Sequence, residues 1–211
     1  MTLPLIIIGA GGHAKVLVAA LPLNSLRGLT DADPEKCGRL ILGAPVLGDD
    51  SVILTFGVTE VALINGLGST GNAKFRVQIF DRFRALGYKF ADVIHPSAWI
   101  SPDVDLAEGI QVMAGAVIQP GCRVGENTII NTGALIDHDC QIDRHCHIAS
   151  GVTLSGGVSV GAYSHIGAGA TVIEGIHIGA HCLVAAGAVV VTDVASGTRV
   201  AGVPAKEMRS V

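Results

Sequence analysis

Ile130-Asn-Thr-Gly-Ala-Leu-Ile136-Asp-His-Asp-Cys-Gln-Ile142-Asp-Arg-His-Cys-His-Ile148 carries isoleucine at every sixth position. A helix needs apolar residues at spacings of three and four, and a simple strand needs them at two. A period of six therefore means short strands joined by recurring turns. The beat runs in both directions: counting in sixes from Ile94 to Val190, all seventeen positions are Ile, Leu or Val. Four residues after each comes a small or β-branched side chain, among them Ala98, Ala116, Cys122, Ala134, Cys140 and Ala170. Glycine and alanine in between suit tight turns.

The composition agrees with a core filled without large rings, because 49% of residues are apolar while only 4% are aromatic. A net charge of −4 offers no basic field to nucleic acid or an anionic membrane, so a small diffusible molecule is the expected partner. No apolar run reaches the roughly 18 to 20 residues of a membrane span. The apolar start at Met1 to Ile8 lacks a basic flank and runs into a glycine turn, so it is not read as a signal peptide, and a cytoplasmic protein is expected. The five cysteines lack metal-ligand spacing. Four of them (Cys122, Cys140, Cys146, Cys182) fall at the small position of a hexad, where a thiol serves as a compact hydrophobe. No metal is expected.

The first ninety residues differ. Leu5-Ile-Ile-Ile-Gly-Ala-Gly-Gly-His-Ala-Lys-Val-Leu-Val-Ala-Ala20 reads as a buried strand, a glycine turn and a helix. Gly9 to Ala14 fits G-x-G-x-x-A, with Asp31 about 20 residues on, as in a dinucleotide fingerprint. NAD would follow if the motif stood alone, but ninety residues are too few for a dehydrogenase. The turn's physical content survives: glycines let a phosphate approach backbone N–H groups at a helix N-terminus. A further strand is expected over Val58 to Ile64, a helix over Asn72 to Leu86 with Phe75, Ile79, Phe83 and Leu86 on its apolar side, and a last strand near Phe90 to Ile94.

The six-residue beat resembles that of the hexapeptide-repeat acyltransferases. Gly12-His-Ala-Lys15, Leu29-Thr-Asp-Ala-Asp-Pro34, Gly43-Ala-Pro-Val-Leu-Gly48 and Val200-Ala-Gly-Val-Pro-Ala-Lys206 together resemble the branch holding sialic acid O-acetyltransferases and N-acetyltransferases of nucleotide-linked amino sugars. The resemblance implies a Rossmann-like β-α-β half-domain over 1–92 that binds the nucleotide sugar. A left-handed parallel β-helix with three hexads per coil would follow over 93–211, with acetyl-CoA held along it between neighbouring subunits of a homotrimer. Residues eighteen apart would then stack about 4.8 Å from one another.

Carried onto matching positions, the resemblance implies that Gly11, Gly12 and His13 hold the pyrophosphate or sugar with Lys15 nearby, and that Asp31 or Asp33 meets the nucleoside. It implies His138 as general base with Asp139 as its acidic partner. Ala168 and Ala186 would contact the pantetheine arm, His147 would line the acetyl-CoA site, and Lys206 joins the cofactor contacts. Histidine suits proton removal because its pKa of about 6.5 lies near working pH, and a neighbouring carboxylate fixes its tautomer. Spacing alone leaves His138 equally open as a hydrated corner residue. One coil above it comes Gly156, whose N–H is expected to serve an oxyanion. The expected activity is acetyl-CoA-dependent N-acetylation of a UDP- or GDP-linked amino sugar. O-acetylation of a sialic-acid-type sugar and a non-catalytic sugar-nucleotide-binding trimer are the alternatives.

Overall fold

The computed structural model describes residues 3–69 and 73–208. The chain forms two compact units that divide between Val93 and Ile94.

The first unit is a five-stranded sheet ordered β3-β4-β2-β1-β5, made of Leu5–Ile8 (β1), Leu26–Thr30 (β2), Leu40–Ile41 (β3), Ala44–Gly48 (β4) and Ala62–Asn65 (β5). All neighbouring pairs are parallel except β3 with β4, which closes as a hairpin. Helix α1 (Gly12–Ala20) buries Ala14, Leu17 and Val18, the three- and four-residue spacing of a helix seated on a sheet. Strand β5 is shorter than expected: it starts at Ala62, because Gly57 N–H donates to the Glu60 carboxylate at 2.6 Å and folds the preceding residues into a turn.

Helix α2 spans Lys74–Ala85, and the expected start at Asn72 lies outside the described residues. Its buried face is only half the expected one: Phe83 is buried and Ile79 packs against the core, as expected. Phe75 is 71% exposed and Leu86 also faces solvent, whereas Arg76, Phe80 and Phe83 are buried. Phe80 packs on Phe90 with ring centroids 4.5 Å apart. Arg76 goes inward because its Nη1 donates to the carbonyls of Asn65 at 2.8 Å and Leu67 at 2.7 Å, while Asn65 Nδ2 donates back to the Arg76 carbonyl at 2.8 Å. A purely apolar reading of periodicity misses a cation that exists to bind backbone.

The second unit is the hexapeptide β-helix. Two-residue strands stack in parallel at intervals of eighteen, as in Val117↔Leu135, Leu135↔Thr153 and Thr153↔Thr171, and they form three faces. The first face includes Ile129–Ile130, His147–Ile148 and His165–Ile166. The second includes Leu135–Ile136 and Thr153–Leu154, and the third includes Gln141–Ile142 and Ser159–Val160. A residue of positive φ recurs every sixth position from Gly109 to Gly187. Most of these are glycine, but Asn127, Asp139, His145, Tyr163 and His181 also adopt this left-handed conformation. From Gln111–Val112 to Val189–Val190 the second residue of each strand points inward, and Ile118, Ile136, Ile148, Leu154, Ile166 and Val172 are all at most 1% exposed.

The four hexad cysteines are buried as expected, while Cys37 is exposed, but the four do more than fill space. Cys122 donates to the Asp137 carbonyl at 3.0 Å, Cys140 to that of Ser155 at 3.3 Å and Cys146 to that of Gly161 at 3.2 Å. Thr128 and Ser164, at the same hexad position, bond the carbonyls of Asp143 and Gly179 in the same way. After Val190 the coil shortens, so that Leu183 pairs with Arg199 and Val184 with Val200.

Candidate functional site

Ile136 anchors the turn between the second and third faces, and the next three residues stand outside the core. Asp137 caps the turn, its Oδ1 accepting the His138 N–H at 2.8 Å. Asp139 takes the left-handed conformation at φ 61°, which swings its carboxylate back to His138, where Oδ2 lies 2.8 Å from Nδ1. The Asp139 hydrogen bond, helped by the charge of Asp137, raises the His138 pKa above its ordinary value against a small opposing effect of burial. The two side chains are 62% and 72% exposed, so solvent screens the pair. With Nδ1–H donated to Asp139, Nε2 carries the free lone pair.

One coil up, the imidazole lies against Gly156. A Cβ on that glycine would fall 2.6 Å from both Cε1 and Nε2 of His138, so the ring occupies the space a side chain would take. The Gly156 carbonyl accepts from Gly175 N–H at 2.9 Å, while its own N–H donates to none of the described residues. His138, Asp139 and Gly156 are thus assembled by the stacking of coils.

Other expected site residues stand elsewhere. Ala168 and Ala186 are exposed and stacked on the turn between the first and second faces, with Gly187 N–H donating to the Ala168 carbonyl at 2.9 Å. His147 stands on the first face, its Nε2 3.1 Å from Asn131 Nδ2 and its ring edge-on to His165 with centroids 4.8 Å apart. Burial lowers the His165 pKa. Lys206 is exposed in the terminal hairpin, where Lys206–Glu207 pairs antiparallel to Arg199–Ala201.

In the first unit, Gly9 at φ 95° turns the chain from β1 into α1. Gly11 and Gly12 are exposed, and added Cβ atoms there would meet nothing within 4 Å. Their lack of side chains is therefore not a packing requirement. Lys15 is exposed on the first turns of α1, and His13 is half-buried beside Gly68. Asp31 is held in place: its Oδ2 accepts from Ala10 N–H and Lys36 Nζ, both at 2.9 Å, and its Oδ1 from Asp33 N–H at 3.0 Å. Burial works to raise its pKa, but the hydrogen bonds of Lys36, Asp33 and Ala10 outweigh it and hold the carboxyl below its usual range. Asp33 caps the following turn by accepting Glu35 N–H at 3.0 Å. Lys36 and Arg76 are the residues that sequence reasoning passed over. A lysine five residues after Asp31 was a legible signal, whereas no motif marks Arg76.

A hexapeptide β-helix carrying a histidine-carboxylate pair on a turn, with a Rossmann-like α/β unit before it, defines the class of hexapeptide acyltransferases. Comparisons with known proteins narrow it. Residues 4–83 match the PglD N-terminal domain family, and residues 121–156 match the bacterial transferase hexapeptide family. A histidine-to-asparagine variant of perosamine N-acetyltransferase from Caulobacter crescentus, solved with CoA and GDP-perosamine, is 40% identical with a TM-score of 0.90, over 98% of this chain and 97% of that one. The acetyltransferase domain of PglB from Neisseria gonorrhoeae FA1090, in complex with acetyl coenzyme A, is 36% identical with a TM-score of 0.89, over 99% of this chain and 100% of that one. A search of curated proteins found no match. The chain belongs to the acetyl-CoA-dependent sugar acetyltransferases of hexapeptide-repeat type.

Proposed function

We propose that the protein transfers the acetyl group of acetyl-CoA to the amino group of a nucleotide-linked amino sugar, UDP- or GDP-linked, by direct attack with His138 as general base. The observation that carries this reading is the 2.8 Å contact between His138 Nδ1 and Asp139 Oδ2, with the same ring laid against Gly156. His138 Nε2 accepts the proton as the amine nitrogen bonds to the thioester carbonyl carbon, and Asp139 stabilises the imidazolium that results. Gly156 N–H, without a partner among the described residues, would face the oxyanion. Collapse expels the CoA thiolate, which takes its proton from His138. A relative named for N-acetylation of perosamine, over nearly the full chain, favours an amine acceptor over a hydroxyl.

Residues 1–92 would bind the nucleotide sugar, with Gly11, Gly12, His13 and Lys15 at its phosphates. The role of Asp31 is more restricted, since its carboxylate already ties Ala10 to Lys36. Asp33 is the freer candidate for the nucleoside. Acetyl-CoA would run past Ala168, Ala186, His147 and Lys206. These lie away from the His138 turn within one chain, which supports a site shared between neighbouring subunits of a trimer.

The test is thiol release from acetyl-CoA in the presence of UDP-, GDP- and dTDP-linked amino sugars and of sialic acid. The wild-type protein is expected to release CoA with one of the amino sugars. His138→Asn should lose at least about 100-fold in turnover, the scale of general-base catalysis, while still binding acetyl-CoA. Turnover retained in His138→Asn removes the base. Release with sialic acid alone makes the protein an O-acetyltransferase, and release with no acceptor leaves a sugar-nucleotide-binding protein.

A further inference from the structure

Behind the site lie two thiols that the chemistry does not use. Cys122 and Cys140 stand one coil apart in the core, exposed 1% and 0% respectively, and both are free. Cys140 Sγ lies 3.3 Å from the Ser155 carbonyl oxygen. Contact with Cys122, and then burial, push the Cys140 pKa well up, so the thiol keeps the proton it donates. The Ser155 carbonyl and the Gly156 N–H belong to one planar trans peptide and point in opposite directions. A carbonyl turned inward to Cys140 sends that N–H outward.

The neighbouring coils repeat this geometry. Cys122 holds the Asp137 carbonyl, and the next N–H, that of His138, emerges to meet Asp137 Oδ1 at 2.8 Å. Thr128 holds the Asp143 carbonyl, and Arg144 N–H meets Asp143 Oδ1 at 2.7 Å. Ser164 holds the Gly179 carbonyl, and Ala180 N–H meets Ser196 Oγ at 3.1 Å. Gly156 N–H has no side-chain acceptor among the described residues, because position 155 carries serine where 137 and 143 carry aspartate; Ala162 N–H, behind the Gly161 carbonyl that Cys146 holds, has none either, but it is buried on the turn between the third and first faces and not beside His138.

We propose that Cys140 is a positioning residue for acetyl transfer: by holding the Ser155 carbonyl inward it aims the Gly156 N–H at the reacting carbonyl beside His138. The proposal rests on the reading of Gly156 as oxyanion donor and adds what fixes that donor's direction. A preorganised donor acts on the charge that develops in the transition state, so losing its aim should lower kcat and leave ground-state binding alone.

Cys140→Ala should therefore lower kcat about tenfold, part of what losing an oxyanion donor outright costs, with KM for both substrates unchanged. Cys140→Ser should restore it, as Ser164 already makes the same bond in this chain. Cys182→Ala, which removes an equivalent thiol contact to the Ala195 carbonyl at 3.1 Å, should leave kcat unchanged. A fall in kcat common to all three variants, or none in Cys140→Ala, overturns the proposal.

Two further measurements separate it from the reading beneath it. Ser155→Asn supplies Gly156 N–H with an acceptor of the kind Asn131 gives Thr132 N–H at 2.8 Å. It should lower kcat about 100-fold; unchanged turnover there overturns the oxyanion donor, and the role of Cys140 with it. Labelling with carbonyl-¹³C serine and ¹⁵N glycine leaves only the Ser150–Gly151, Ser155–Gly156 and Ser196–Gly197 peptides visible by NMR. The Gly156 amide should shift in Cys140→Ala and return in Cys140→Ser. An unmoved Gly156 signal overturns the positioning role whatever the turnover.

Discussion

At the scale of the residue, the chain uses strain to set the proposed base. Asp139 sits where most hexads carry glycine, and a non-glycine residue pays about 1–2 kcal/mol to adopt that conformation. In return its carboxylate reaches Nδ1 and fixes the tautomer that leaves Nε2 unprotonated. Asn tolerates the same backbone, so Asp139→Asn separates charge from conformation. In the wild-type protein the raised His138 pKa places the acid limb of kcat/KM above about pH 6.5, the ordinary histidine value. Removing the carboxylate charge should move that limb to lower pH and reduce the plateau rate. The pH profile of kcat/KM measures both, and a limb that stays in place would mean another group titrates. His138 was legible as a candidate from its sequence neighbours. Gly156 above it was legible too, because residues eighteen apart stack; what spacing could not give is that the imidazole fills the space a Cβ on that glycine would take.

The element here is the coil, and its tolerance depends on which glycine is touched. Gly161 packs under the next turn: an added Cβ would lie 2.5 Å from Ala180 N and 2.7 Å from the Gly179 carbonyl carbon, both backbone atoms that cannot step aside. Gly133 has φ 66° but open space around it. Gly161→Ala should therefore cost more than the roughly 1–3 kcal/mol of ordinary overpacking, and Gly133→Ala about 1 kcal/mol. Thermal unfolding of the two variants side by side should show the larger fall in Tm for Gly161→Ala. The hexad pattern made the coils readable because one repeated physical demand, an aliphatic inside and a turn outside, governs every sixth residue. Helix α2 was read less well for the opposite reason. Its inward residue Arg76 answers to two backbone carbonyls, and no periodicity of apolar residues encodes that. The cysteines fall between: their burial followed from position, their hydrogen bonds did not.

For the whole molecule, the separation of His138 from Ala186 on different turns gives the proposed trimer a consequence that can be measured. Ala186→Arg should block acetyl-CoA on one side of a shared site, and His138→Asn should remove the base on the other. Each variant alone should be inactive. Equal mixing and reassembly should return about a quarter of wild-type turnover, because only a site drawing His138 from one variant and Ala186 from the other is intact in a closed ring of three. No recovery in reassembled mixed trimers would place both residues in one chain's site.

The shortened last coil also has a bearing on solubility. A column of parallel strands has two raw ends whose unmatched amide and carbonyl groups could template another molecule, the hazard of any exposed edge. Here the tail folds back so that Ala205 N–H donates to the Val189 carbonyl and Val189 N–H to that of Gly202, while Lys206–Glu207 zips onto Arg199–Ala201. The same segment that breaks the repeat thus works as a stopper, keeping a self-similar column from growing end to end into a filament.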